Sequence, residues 1–128
     1  MAETRAISRR PPPPSARGQM LVCHANVRSL TARFEEVTAL IDAHKPDLLC
    51  LSETWLTDNV LDSYLVFSGY RLHRADRTAP RKSNTTVRGG GVAIRSSERM
   101  KTERLNIQSS DPVTDSLWLM VTCRRAQP

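Results

Sequence analysis

Glu53 is the residue best placed for chemistry. It follows an apolar run, LLCL at 48–51, within LLCLSETW at 48–55. Four residues without a polar member read as a sheet centre covered on both faces. A carboxylate just beyond the carboxyl end of a buried parallel strand sits in the crevice where open α/β sheets place their ligands. The bland alternative is a turn cap or an ion pair with one of the many arginines. A second polar residue in such a position is Asn26, which follows the β-compatible run QMLVCHA at 19–25.

These two side chains meet only if the elements between them fold correctly. Leu30, Phe34, Val37, Leu40, Ile41 and His44 fall at helical spacing, with Ser29 or Thr31 available as an amino-terminal cap and Pro46 as a stop. Strand, helix and buried strand in succession describe a right-handed crossover with parallel strands. That geometry brings Asn26 and Glu53 to one edge of the sheet. A polar connection at 57–62, a short apolar patch around Tyr64, Val66 and Phe67, and a strand at 70–73 follow.

From 71 to 88 come Arg71, Arg74, Arg77, Arg81, Lys82 and Arg88 against Asp76 alone. The stretch 78–87 has no periodicity and is expected to be a mobile surface loop. Such a loop can track a phosphate backbone, with Arg77, Arg81, Lys82 and Arg88 as the nucleic-acid contacts, or simply keep a protein soluble. Arg74 and Asp76 are expected to form a structural ion pair. Gly89, Gly90 and Gly91 are not a P-loop, because no Lys-Ser/Thr follows and the next segment is β-like; they should let a strand pass close to its neighbours. Strands at 104–107 and 116–123, with turns at 95–103 and 109–114, end the chain as an antiparallel pair. Trp55 is expected to pack under the loop that follows it, with stacking on a base as the alternative. His24 should be a hydrogen-bonded core histidine.

A chain of 128 residues with formal charge +6 and a pI near 9.9 is one domain or part of one, with a preference for anionic partners. Cys23, Cys50 and Cys123 are odd in number and widely spaced, so they read as buried free thiols in a reducing compartment. No run suits a signal peptide or a membrane span, which makes the expected setting nuclear or cytoplasmic, not secreted and without a membrane partner. Residues 1–18, with four consecutive prolines, are expected to be a disordered Arg/Pro-rich leader.

The motifs HANVRSL (24–30), HKPDLLCLSETWL (44–56), SGYRLHRADR (68–77) and GGGVAI (89–94), in this order, resemble the endonuclease/exonuclease/phosphatase superfamily. Within it they look most like the apurinic/apyrimidinic-type endonuclease domain of LINE-like non-LTR retrotransposons. The resemblance implies an α/β fold with a mixed sheet, the N-terminal half of a four-layered deoxyribonuclease-I-like sandwich, with 19–128 a partial domain. It also implies metal-dependent phosphodiester cleavage with Mg²⁺ (or Mn²⁺) as cofactor and DNA as partner through its phosphate backbone. Asn26 then belongs to the active-site hydrogen-bond network, and Glu53 is a catalytic metal ligand.

Such domains carry an Asp-x-Asn motif, an Asp-His pair and a catalytic Tyr in their second half. None follows Trp118 here, and His24, His44 and His73 all lie upstream. The expectation is a truncated DNA endonuclease-like phosphodiesterase domain, inactive alone and lacking its C-terminal half, whose open apolar sheet face favours self-association. The alternatives are a noncatalytic basic nucleic-acid-binding module and a phosphatase of the same superfamily.

Overall fold

The computed structural model describes residues 18–77, 89–107 and 115–123. Residues 1–17 of the leader, Arg81, Lys82, Arg88 and the turn at 109–114 therefore lie outside the described residues. The elements are β1 (Val22–Asn26), α1 (Phe34–His44), β2 (Leu48–Ser52), a single 3-10 turn (Asp62–Leu65), β3 (Tyr70–Ala75), β4 (Val92–Ser97), β5 (Met100–Leu105) and β6 (Trp118–Cys123). Four strands make one sheet in the order β1-β2-β4-β3, and β5 pairs with β6 in a separate ribbon. β1 and β2 are parallel with Asn26 opposite Ser52, while β2–β4, β3–β4 and β5–β6 are antiparallel. The result is a mixed α/β fold with a mixed sheet.

Side chains alternate across a strand, so each sheet face is set by every second residue. Cys23, Ala25, Leu49, Leu51 and Ala93 turn toward α1, where Val37 and Ile41 close the core with Val27, Leu30, Leu56 and Leu65. Leu30, Ile41 and Leu49 are fully buried, and each such side chain contributes about 1.5–3 kcal/mol. The opposite face carries Val22, His24, Cys50, Ser52, Val92 and Ile94, in register across β1, β2 and β4. Among the described residues, 115–118 cover it in part and leave a groove of about 340 Å³ over His24, Cys50 and Ile94.

α1 starts later than its apolar spacing predicts. The Ser29 and Leu30 amides donate to the Glu53 and Thr54 carbonyls, both at 2.9 Å, and Arg28 and Ser29 have φ +45° and +87°, so this stretch is a turn tied to the rim and not yet helix. Ser29 Oγ instead accepts the Ala32 amide at 3.3 Å within the preceding turn. At the other end Lys45 adopts the left-handed conformation and its amide closes on the Ile41 carbonyl, just before Pro46.

The expected turn at 95–103 is mostly strand: β4 runs to Ser97 and β5 begins at Met100. Arg95, Ser96 and Ser97 read as polar, yet all three are buried. Arg95 lies over the Phe34 ring and donates to the Leu65 carbonyl at 2.6 Å. Burial pushes its guanidinium below the ordinary arginine range.

Three burial expectations also change. His24 is exposed, because β1 is an edge strand and its outer face is open; its Nε2 shares a 3.2 Å hydrogen bond with Ser52 Oγ. Cys23 and Cys50 are free but only half-buried, with the Cys50 thiol pushed up chiefly by burial. β2 is thus sealed on the α1 face and only partly covered on the other. Among the described residues no helix is long and apolar enough to cross a membrane.

Candidate functional site

The parallel pairing of β1 with β2 places Asn26 and Glu53 at the same rim of the sheet, as the crossover predicts. Asn26 ends β1 opposite Ser52, and Glu53 is the next residue along. Asn26 is exposed and Glu53 half-buried. The chain turns sharply at this point: Glu53 has φ +56° and Trp55 φ +55°, a left-handed conformation that non-glycine residues seldom adopt.

The glycine run holds that turn. The Thr54 and Trp55 amides donate to the Gly91 and Gly90 carbonyls at 3.2 and 3.0 Å. In return the Gly90 amide donates to Glu53 Oε2 at 2.9 Å. A Cβ on Gly91 would lie 2.5 Å from the buried Thr54 Oγ1, and one on Gly90 would collide with the Arg77 guanidinium. Close passage is therefore the reason for glycine here, as the sequence suggests.

Trp55 is 40% exposed and does not pack beneath the next loop. Its indole N–H reaches toward Glu53 Oε1 at 3.5 Å, a long contact that leaves this oxygen most of its accepting capacity.

Arg77 follows β3 and turns its guanidinium onto Asp115, with Nη2 and Nε at 2.8 and 3.1 Å from Oδ2. The Asp115 carboxylate holds the guanidinium above its ordinary value. The same Oδ2 accepts the Gly91 amide at 3.0 Å. Asp115 was not among the sequence-derived candidates, since it precedes the last strand among turn-forming residues. An acid placed there in a chain rich in arginine was its one available signal.

Arg74 forms the expected ion pair with Asp76, bidentate at 2.7 and 3.2 Å. It also donates to Asp62 and to the carbonyls of Thr57 and Val60, which pins the 57–62 connection beside the rim. Arg81, Lys82 and Arg88 lie outside the described residues.

The family model of the Endonuclease/Exonuclease/phosphatase family matches residues 23–125. The chain belongs to this family. Its mixed sheet backed by a helical layer is the endonuclease/exonuclease/phosphatase architecture, and the matched stretch includes Asn26, Glu53, the glycine run and Asp115.

Two solved structures resemble it. One is the 3′ phosphatase NExo from Neisseria bound to a product DNA hairpin, 23% identical with a TM-score of 0.46 over 66% of this chain and 31% of that one. The other is an AP endonuclease from Archaeoglobus fulgidus, 24% identical with a TM-score of 0.47 over 70% of this chain and 30% of that one. The chain thus spans about three tenths of either length. No curated protein matches it.

As an endonuclease/exonuclease/phosphatase domain, the chain offers a hard carboxylate oxygen at the rim. Among the described residues no three His, Cys, Asp or Glu side chains converge as a metal cluster. A carboxylate oxygen is a hard donor of the kind that divalent cations take together with water and substrate phosphate. Glu53 Oε1, whose one hydrogen bond among the described residues is the long contact with Trp55, is the oxygen that fits.

Proposed function

We propose that these residues are the metal-binding and backbone-binding part of a DNA endonuclease-like phosphodiesterase domain derived from a non-LTR retrotransposon, and that they do not turn over alone. The observation that carries this reading is the pairing of an amide and an acid at the ends of neighbouring parallel strands, Asn26 and Glu53. Membership in the endonuclease/exonuclease/phosphatase family supports the phosphodiesterase part. The wording of the four motifs supports the retrotransposon origin.

In this reading Glu53 Oε1 holds Mg²⁺ (or Mn²⁺), while Oε2 is kept in place by the Gly90 amide. Held there, such an ion would supply positive charge beside the phosphate oxygens and the leaving group. Asn26 orients the phosphate or its water from the adjoining strand end. Arg77, Arg81, Lys82 and Arg88 follow the DNA backbone, a contact that weakens with salt as counterions compete.

General-base chemistry needs an acceptor within hydrogen-bond reach of the attacking water. His24 and His73 are engaged by Ser52 and Ser96 on the sheet face, and His44 ends α1. Because those histidines are engaged or lie off the rim, this reading assigns no general base among the described residues, and that is the reason for proposing no turnover. A nuclear or cytoplasmic setting goes with free thiols and a DNA substrate.

A plasmid-nicking assay with and without Mg²⁺ tests this. The 128-residue chain should bind DNA in a salt-sensitive way and nick at background rate. Nicking that Glu53→Ala abolishes would keep the site and reject the inactivity; nicking indifferent to Glu53→Ala would reject the site.

A further inference from the structure

The geometry points to Arg77 and Asp115 as a positioning pair that sets the Glu53 carboxylate through the glycine run. The idea rests on Glu53 being the working carboxylate of the proposed function. Asp115 Oδ2 is a shared acceptor: it takes the Gly91 amide at 3.0 Å and Arg77 Nη2 at 2.8 Å. Its side chain is 17% exposed, and that of Arg77 37%, so the pair is partly shielded from solvent.

The guanidinium also covers the Gly90 backbone, at a spot where even a methyl group would collide with it. The peptides on either side of the Gly90 Cα are also tied to the rim: the Gly90 amide donates to Glu53 Oε2, and the Gly90 carbonyl accepts the Trp55 amide. Two acids thus hold successive amides of one loop, and the loop lies between them. Displacing Asp115 releases Gly91 and uncovers Gly90, and the carboxylate that depends on the Gly90 amide loses its fixed orientation.

Arg77 also feels the Glu53 charge directly, so the positioning role is read at the Gly90 backbone amide and not from charge effects at the carboxylate.

The test is amide hydrogen exchange followed by NMR in the full chain, comparing the parent with Asp115→Asn, Arg77→Gln and Arg77→Lys. Asn at 115 keeps an oxygen for the Gly91 amide but loses the charge that holds Arg77. Exchange at Gly90 should accelerate by about tenfold in Asp115→Asn and Arg77→Gln, and the Trp55 indole N–H signal should shift, while Leu49 and Leu51 in β2 stay protected.

Arg77→Lys keeps the charge without the two-point fork. It should give an intermediate change of about threefold, and it serves as the reading if the other variants do not fold. Unchanged Gly90 exchange and indole position would overturn the inference, as would an equal loss of protection throughout β2, which marks general unfolding.

These readouts need no metal. If Mn²⁺ fails to bind at Glu53 while Gly90 responds, the proposed function falls and the brace remains. If Mn²⁺ binds and Gly90 is unmoved, the brace falls alone.

Discussion

At the scale of single residues, the backbone at Glu53 and Trp55 is held against its preference. Each left-handed non-glycine residue costs about 1–2 kcal/mol, and four backbone hydrogen bonds from residues 29, 30, 54 and 55 offset it. Such strain aims a carboxylate away from the strand and over the rim. His73 gives a separate prediction. Burial, then the charges of Arg104 and Arg71, lower its pKa from 6.5, and its Nε2 shares a 3.1 Å hydrogen bond with Ser96 Oγ. The unfolded chain therefore takes up a proton before the native state does. Stability should fall as pH drops below about 6.5 and level off once the native ring also titrates. Urea midpoints for His73→Asn should lack this component, which is modest because the ring is half-exposed; matching pH slopes in both proteins would count against it. Asn26 and Glu53 were legible in the sequence because each directly ends a run of strand character. Asp115 was not, since its partners Gly91 and Arg77 lie 24 and 38 positions away. The alternation at Val22 and His24 told which residues share a face but not whether anything covers it.

At the scale of elements, the glycine run joins β2 to β4 at the rim and has no slack. Gly91 has φ +88° and lies against Thr54 Oγ1. Gly91→Ala should destabilise the protein by about 2–3 kcal/mol, read as a lower denaturant midpoint. A loss under about 0.5 kcal/mol would mean that the loop adapts without strain. The crossover from β1 through α1 to β2 was readable from apolar spacing and Pro46, because local periodicity decides it. The extent of β4 was not. Arg95 is recruited into the core by the Phe34 ring and the Leu65 carbonyl, two partners that nothing near Arg95 in sequence announces. The true start of α1 was hidden for a similar reason: the Leu30 amide is taken by Thr54, a residue on the next strand.

At the scale of the whole molecule, the described residues bury the sheet by helix and loops on one face and cover the other only in part. Val22 is 50% exposed on the open sheet face, and Trp118 and Met120 on the ribbon are 50% and 54% exposed. Exposed apolar surface of this kind favours association. Sedimentation velocity should show a mass that rises with concentration, reduced by Val22→Lys. A strictly monomeric chain with a sharp thermal transition and no hydrophobic-dye binding would contradict this. The fold class was legible because one parallel pair flanking a helix admits few topologies, whereas the open face depends on what packs against it. The most direct measurement is paramagnetic broadening of NMR signals by substoichiometric Mn²⁺. Signals of the Asn26 side-chain amide and the Trp55 indole should broaden first, and Glu53→Gln should abolish the effect. Broadening centred elsewhere, or unchanged in Glu53→Gln, would show that the rim holds no metal site.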